Sequence, residues 1–297
     1  MAAVSSPPEL AVGPSNEPSA QRQRDLDLAI ELARSAGKLA LEHYGNVERL
    51  LKTHATTTDE PVTVADRAAQ AAIVKGLRHH CPSDGIIGEE SEFGDGITAS
   101  NLQPKGRNWV IDPIDGTNNF IAGLGNWAVC IGLLEAGVPT VGVVYDVTRD
   151  VVYAGGLGIP ATANGEPVGV VEHPMSTASL FMLTSNLLDA HGRAPAWVLG
   201  LLNQTDWKVR MLGSAALEAT MVGAGIAQVA ITMNGKLWDA VAACAFSMSA
   251  GADVLTLEGE PLFPFDVTEY RGRKVPFLCV ARQAKPQVLR HLRDDAD

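Results

Sequence analysis

The sequence WVIDPIDGTNNF, residues 109–120, carries a short apolar run into two aspartates and then into Gly-Thr-Asn-Asn. The apolar run predicts a buried strand. Asp112 and Asp115 fall on a proline-stiffened turn at its end, where two like charges in partial burial raise each other's pKa. A divalent cation removes that cost. Carboxylate oxygens, together with a backbone carbonyl such as that of Ile114, are ligands that suit Mg²⁺.

Residues 116–119 predict the start of a helix that faces an anion. Gly116 allows a close approach, and the free N–H groups at a helix start, here at Thr117 and Asn118, donate to phosphate oxygens. The same phosphate would contact cations held by the preceding aspartates. The stretch therefore predicts a strand end that binds a phosphate through metal ions.

Further acidic residues stand at the ends of other predicted elements, and each has an ordinary explanation. Asp66 is suited to capping the helix that it opens. Glu89 and Glu90 are suited to a solvated loop, and Asp239 to the first turn of a helix. As one set with the aspartate pair, they predict an acidic constellation around a metal.

Outward from this stretch, helical and strand patterns alternate. Helices are predicted from Arg24 and over 66–79, with a mobile, Thr-rich loop between them. The segment 127–155 predicts an antiparallel meander, and 237–259 a buried helix followed by a strand. The mixture indicates a layered α/β or α+β fold.

The length of 297 residues predicts one large domain or two closely packed ones. We divide the chain into a disordered N-terminal tail over 1–22, an α+β subdomain with the metal motifs over 23–170, and a C-terminal α/β subdomain over 171–297 that completes the active site.

Composition restricts the partners and the compartment. The net charge of −11, with no basic run, argues against a nucleic-acid duplex, although an acidic chain can bind an anionic substrate through a cation. No apolar run approaches about 20 residues, so no membrane span is predicted. The first residues lack a secretory pattern, and the four cysteines are widely separated, which favours a cytoplasmic location.

Three motifs together resemble the inositol monophosphatase family: GEES at 88–91, DPIDGTNNF at 112–120 and LWDAVA at 237–242. They occur in the family's order, and the resemblance covers about residues 25–285. It implies an αβαβα sandwich of the inositol monophosphatase and fructose-1,6-bisphosphatase type. It also implies a Mg²⁺-dependent, lithium-sensitive phosphomonoesterase that acts on a small phosphorylated metabolite, and a homodimer.

The resemblance also implies residue roles. Up to three Mg²⁺ ions would be held by Glu89, Asp112, the Ile114 carbonyl, Asp115 and Asp239. A water activated by the metals would be oriented for attack on phosphorus by Glu89, Thr117 and Asp66. Substrate would be bound by Gly116, Thr117, Asn118, Gly213, Ala215 and Thr232. Lys52 matches a family lysine, with a phosphate contact and a surface charge as equal alternatives.

One position expected to contact the substrate departs from the family pattern. A family glutamate that grips a sugar hydroxyl is replaced by Thr232. A hydroxyl without its charged acceptor loses about 1.5–3 kcal/mol of binding. Inositol monophosphate stays the first candidate, with histidinol phosphate, fructose bisphosphate and 3′-phosphoadenosine 5′-phosphate as alternatives.

Two other classes remain as alternatives. One is a catalytically retired protein that keeps the fold and binds a phosphate ligand, although no metal ligand of the family pattern is missing. The other is a glycosidase with a carboxylate pair, which needs neither the Gly-Thr anion site nor the further acidic positions.

Overall fold

In this computed structural model the described residues are 19–45, 50–51, 61–62, 64–90, 98–188, 192–204, 206–268 and 270–294. Their helices are α1 Ala20–Leu41, α2 Val64–His80, α3 Thr117–Ala122, α4 Ala196–Gln204, α5 Ala215–Gly223, α6 Leu237–Ser249 and α7 Lys285–Asp294. Their strands are β1 Leu50–Leu51, β2 Pro61–Val62, β3 Gly85–Gly88, β4 Thr98–Ser100, β5 Arg107–Asp115, β6 Ala128–Glu135, β7 Val138–Asp146, β8 Val151–Gly156, β9 Ile159–Ala163, β10 Glu166–Pro167, β11 Leu180–Leu183, β12 Lys208–Arg210, β13 Val229–Thr232, β14 Ala252–Leu255 and β15 Phe277–Ala281.

The larger sheet has eight strands in the order β10-β9-β8-β7-β6-β5-β3-β4. Its strands are antiparallel except for β3, which runs parallel to β5. The predicted meander corresponds to β6, β7 and β8, which are joined in sequence by short turns. Strand β5 lies inside the sheet: it pairs with β3 as far as Ile111, and its end over residues 112–115 pairs with β6.

A smaller sheet has five strands in the order β12-β11-β13-β15-β14. Strand β13 pairs parallel with β11 and antiparallel with β15. Together with β1 and β2, which pair with each other, these are the sheets of the described residues.

Five layers follow from how the buried side chains pack. Helices α1 and α2 cover one face of the larger sheet, as in the contact of Ala33 and Ile73 with a core that includes Trp109. Helices α5 and α6 lie between the two sheets. Helices α4 and α7 cover the outer face of the smaller sheet, around Phe181 and Val288. The predicted αβαβα architecture is confirmed.

Small residues let α6 approach the larger sheet closely. A Cβ at Gly142 on β7 would lie 2.1 Å from the Ala242 carbonyl oxygen, and one at Gly132 on β6 would lie 2.6 Å from Val241 Cγ1. Most positions along α6 are buried, and many are alanine. This contact sets the distance between α6 and the sheet, and with it the position of Asp239 in the first turn of α6.

The first helix differs from its predicted start. It begins at Ala20 rather than Arg24, because the Ser19 hydroxyl caps it by accepting from the Arg22 N–H at 3.5 Å. Residues 20–22, which we assigned to the tail, are therefore helical. Residues 1–18 of the tail and Lys52 lie outside the described residues.

No helix in the described ranges has both the length and the apolar character needed to cross a bilayer.

Candidate active site

A β-bulge brings two aspartates of β5 to one side of the sheet. We expected a turn at Asp112, but β5 continues to Asp115. On β6, Asp112 lies opposite Cys130 and Asp115 opposite Ala128, so β5 has one residue more than its partner in between. Residues three apart on a regular strand face opposite sides, and the extra residue cancels that difference. The bulge thus directs both carboxylates to the same side.

Asp239 joins these two residues from the first turn of α6. Carboxylate oxygens of Asp112, Asp115 and Asp239 lie within 4.8 Å of one another, and we call these three residues the aspartate cluster. The Ile114 N–H donates to Asp112 Oδ1 at 3.0 Å, and the Lys236 N–H donates to Asp239 Oδ2 at 2.7 Å. The other oxygens, Asp112 Oδ2 and Asp239 Oδ1, take no part in these two backbone bonds, and a cation could bind to them.

Asp115 also ties the larger sheet to the helix layer. Its carboxylate accepts from the Ser214 hydroxyl and from the N–H groups of Ala215 and Ala216, at 3.2 and 2.9 Å. These groups form the N-terminus of α5, where Ser214 is the cap. The partial positive charge of a helix start stabilises a carboxylate there.

Burial and repulsion disfavour the charged forms of the cluster. Asp112 and Asp115 are only 2% and 6% exposed. Burial raises the pKa of Asp112 well above its ordinary value, and the charges of Glu89 and Asp239 raise it further. Burial also raises the pKa of Asp239 to about 8, with the charges of Asp115 and Glu89 adding to it.

The pKa of Asp115 is raised less, to about 6. Burial raises it, while the hydrogen bonds from Ser214 and from the Ala216 N–H lower it. The three side chains together form a buried anionic centre whose electrostatic cost a cation would relieve. In this respect the residues fit a divalent metal ion with oxygen ligands.

Glu89 follows β3 directly and faces the same cleft as Asp115 and Asp239. Its N–H donates to the Ile111 carbonyl at 3.2 Å, which extends the pairing of β3 with β5 by one residue. Glu90, for which we weighed a solvated position, is instead buried at 4% exposure.

Gly116 follows the end of β5 in a conformation that favours glycine, and Thr117 is the first residue of α3. Gly116 has a φ of +91°, and a Cβ there would lie 2.9 Å from the Asn126 carbonyl oxygen. The Thr117 hydroxyl donates to the Ile114 carbonyl at 3.1 Å. Asp66 is fully buried in the first turn of α2, and its role with Thr117 in orienting a water stays a prediction.

A cleft of about 260 Å³ opens beside the aspartate cluster. Its lining includes eight of the residues that we singled out from the sequence: Glu89, Asp115, Gly116, Thr117, Asn118, Gly213, Ala215 and Asp239. Thr232 is not in this lining. It is fully buried at the end of β13, and a Cβ at Gly235 would meet its methyl group at 2.5 Å. A substrate contact of Thr232 stays a prediction.

Several cleft residues were missed by the sequence analysis. They are Thr184, Ser185, Asn186, Ser214, Glu218, Asn234, Gly235, Lys236 and Trp238. The Asn234 side-chain amide donates to the Asn186 carbonyl at 2.6 Å, so two separate segments form one wall. Lys236 brings a cation to this wall, and its Nζ donates to the Gly272 carbonyl at 2.8 Å.

Glu218 is a further buried carboxyl that lines the same cleft as the aspartate cluster. It is 1% exposed, and it accepts from the N–H groups of Leu212 and Gly213 at 2.7 and 3.1 Å. Burial raises its pKa to about 8 in spite of those two hydrogen bonds. Its signal in the sequence was a lone acidic residue within the apolar pattern of α5.

Comparison with known proteins agrees with this geometry. The model of the inositol monophosphatase family matches residues 21–295. A fructose-1,6-bisphosphatase/inositol-1-monophosphatase from Thermotoga maritima is 33% identical over 235 residues, which cover 79% of this chain and 86% of that protein. A histidinol-phosphatase from Mycobacterium tuberculosis is 34% identical over 242 residues, covering 79% and 88%. The solved structure of an inositol monophosphatase from Thermotoga maritima superimposes with a TM-score of 0.76 at 27% identity, covering 91% of this chain and 97% of that one.

Proposed function

This chain belongs to the inositol monophosphatase family of phosphoric monoester hydrolases, and from that premise we propose that it hydrolyses a small polyol or sugar phosphate with Mg²⁺. Inositol monophosphate is the first candidate substrate. The observation that carries the proposal is the aspartate cluster, with three carboxylates within 4.8 Å of one another at the edge of a cleft.

Five groups are proposed to hold up to three Mg²⁺ ions: the carboxylates of Glu89, Asp112, Asp115 and Asp239 and the carbonyl of Ile114. All are hard oxygen donors, the class of ligand that Mg²⁺ prefers. The metal, when bound, supplies an acidified water and neutralises charge on the phosphoryl group. The mutual repulsion of these carboxylates supports the assignment, because it makes the site costly without a cation.

The remaining roles belong to residues at the cleft and behind it. Glu89, Thr117 and Asp66 are proposed to orient the attacking water. The phosphate is proposed to bind directly after β5, at Gly116, Thr117 and Asn118. The alcohol part of the ester is proposed to lie against Gly213 and Ala215. The glycine conformation at Gly116 supports this, because it leaves the backbone open to the cleft.

The choice among esters depends on the wall of the cleft that Asn186, Asn234 and Lys236 form. Thr232 is buried behind this wall, and the groups that reach the cleft there include Asn186, Asn234 and Lys236. Amides and a cation accommodate a hydroxyl, an imidazole or a second phosphate. Histidinol phosphate and fructose bisphosphate therefore remain the first alternatives, as the names of the two relatives also suggest. The 3′-phosphoadenosine 5′-phosphate ester completes the set.

The finer properties implied by the family are proposed with the activity. They are inhibition by Li⁺ through competition for a Mg²⁺ position, a homodimer, and a cytoplasmic location. The location is supported by the cysteines of the described residues, which are all free thiols.

A substrate panel tests the proposal. Phosphate release from the four esters should be measured with Mg²⁺ and with EDTA, and we expect release only with Mg²⁺ and fastest from one ester. An Asp115→Asn variant serves as the inactive reference. Ligand binding with wild-type turnover no better than that of the variant would favour a retired binding protein. Turnover that is indifferent to EDTA would favour metal-free hydrolysis.

A further inference from the structure

The peptide after Glu89 has a partner that is not a strand. Neighbouring residues of a strand direct their backbone groups to opposite sides. The Glu89 N–H faces β5 and bonds to Ile111. The backbone groups of Glu90 face the other side, where the described pairing of β3 with β4 ends at Gly88 opposite Thr98.

The side chain of Gln70 on α2 makes a hydrogen bond with each of these two backbone groups of Glu90. Its Oε1 accepts from the Glu90 N–H at 2.9 Å, and its Nε2 donates to the Glu90 carbonyl at 2.5 Å. Both residues are 4% exposed, so water competes little for these groups. A carboxamide presents a donor and an acceptor side by side, as a peptide group does, and can therefore take the place of a neighbouring strand.

Gly88 makes room for this side chain. A Cβ at Gly88 would lie 2.5 Å from Gln70 Oε1. Gln70 also stands four residues after Asp66 on α2, so both side chains lie on the same buried face of that helix. One helix thus carries a residue proposed to orient the water and a residue that clamps the backbone beside Glu89.

We propose that Gln70 is a positioning residue for Glu89, which it holds at the aspartate cluster by fixing the backbone of Glu90. The inference rests on the proposed role of Glu89 as a metal ligand. The Ile111 carbonyl on one side and the Gln70 side chain on the other hold the backbone on both sides of the Glu89 side chain.

The proposal is tested with Gln70→Leu, which keeps the size of the side chain and removes both hydrogen bonds. In the metal-free protein, we expect the Glu90 amide to exchange its hydrogen at least about tenfold faster than in the wild type. Calorimetry with Mg²⁺ alone should give about tenfold weaker binding. In the phosphatase assay, the Mg²⁺ concentration for half-maximal activity should rise about tenfold, while kcat at saturating Mg²⁺ and the KM for the ester stay within about threefold.

Two further variants separate positioning from a loss of fold. Gln70→Glu keeps the acceptor for the Glu90 N–H and, as a neutral acid, also the donor, so its Mg²⁺ midpoint should stay within about threefold of the wild type. Gln228→Leu removes another buried glutamine that accepts from a backbone N–H, that of Leu180, away from the cleft. It should lower stability without moving the Mg²⁺ midpoint.

The outcomes are distinct. Unchanged Glu90 exchange and an unchanged Mg²⁺ affinity in Gln70→Leu would overturn the proposal, as would an equal shift of the Mg²⁺ midpoint in Gln228→Leu. If the wild type hydrolyses no ester with Mg²⁺, the proposed function fails. The exchange and calorimetric measurements then still decide whether Gln70 positions Glu89.

Discussion

Asp112 is a carboxyl group in a place from which water is almost excluded. It is buried and receives one backbone hydrogen bond, from Ile114. Burial and the charges of its acidic neighbours raise its pKa, so its ionised form is disfavoured until a cation binds. A residue of this kind lowers the stability of the metal-free protein and gains its value only with the metal.

The variant Asp112→Asn separates these two effects. We expect kcat/KM with Mg²⁺ to fall on the order of 10²-fold or more, because a charged ligand is lost. We expect the metal-free protein at pH 8 to gain about 1–3 kcal/mol in its free energy of unfolding, because a carboxyl group whose ionisation is disfavoured by burial is removed while Oδ1 still accepts from Ile114. Urea denaturation in EDTA and steady-state kinetics measure the two effects. Wild-type kinetics in the variant would show that the metal site lies elsewhere.

Glu218 allows a pH test at a single residue. Its pKa in the folded protein is raised to about 8, above the ordinary value of 4.5. The folded state therefore favours the protonated form, and stability is lost as the pH rises through about 8. A difference of one between the pKa in the folded and in the unfolded protein corresponds to about 1.4 kcal/mol of unfolding free energy.

In Glu218→Gln the acceptor for Leu212 and Gly213 is kept and the titration is removed. We expect the variant and the wild type to have similar free energies of unfolding at pH 5, and the variant to become the more stable one between pH 7 and 9. Denaturation at a series of pH values, in EDTA, checks this. A difference that does not change with pH would contradict the buried position of this carboxyl.

At the scale of elements, α6 and β7 set the position of Asp239. The helix lies against Gly132 and Gly142, where a side chain on the sheet would collide with the helix backbone. Close packing of this kind resists even a single added methyl group. The distance between Asp239 on the helix and Asp112 on the sheet therefore depends on these glycines.

The variant Gly142→Ala is expected to lower the free energy of unfolding by about 1–3 kcal/mol, because its Cβ would lie 2.1 Å from the Ala242 carbonyl oxygen. It should also weaken Mg²⁺ binding, because α6 must move away from the sheet together with Asp239. Thermal denaturation and calorimetry measure these changes. Gly169→Ala is the matched control, since its nearest atom, the Ala250 carbonyl oxygen, would be 3.7 Å away. An equal loss of Mg²⁺ binding in both variants would show that the helix height is not the cause.

At the scale of the molecule, the site lies where the larger sheet meets the helix layer that it shares with the smaller one. Asp112 and Asp115 come from the larger sheet, Asp239 from α6, and the hydrogen-bond donors to Asp115 from α5. The site therefore forms only when these layers are packed together. A cation that binds there stabilises all the layers together, by mass action on the folded state.

This arrangement predicts how pH and Mg²⁺ act together on stability. Because the pKa values of Asp112, Asp115 and Asp239 are raised, the metal-free protein should lose stability as the pH rises from about 5 to 8. Mg²⁺ binds the ionised carboxylates, so its stabilising effect should grow over the same range, to about 2.7 kcal/mol at a hundred times its Kd. Thermal denaturation with MgCl₂, and with NaCl at equal ionic strength, measures this. A Mg²⁺ effect that is the same at pH 5 and pH 8 would contradict it.

Local patterns were enough to predict the layered fold and the candidate acidic residues. Runs of apolar residues mark β5 and β6, helical spacing marks α2 and α6, and acidic residues stand near the ends of β3 and β5 and in the first turns of α2 and α6. These features depend on neighbours in the chain, and the family motifs preserve them.

Distances between distant parts of the chain required the tertiary structure. The bulge between Asp112 and Asp115 depends on the register of β5 with β6. The clamp of Gln70 on Glu90 joins residues 20 positions apart, and the wall of Asn186 and Asn234 joins segments 48 positions apart. The burial of Thr232 behind that wall follows from the smaller sheet. The sequence alone therefore specified which residue types stand at the ends of which elements. Which of them share one cleft was decided by packing and register, since these depend on contacts that no local pattern encodes.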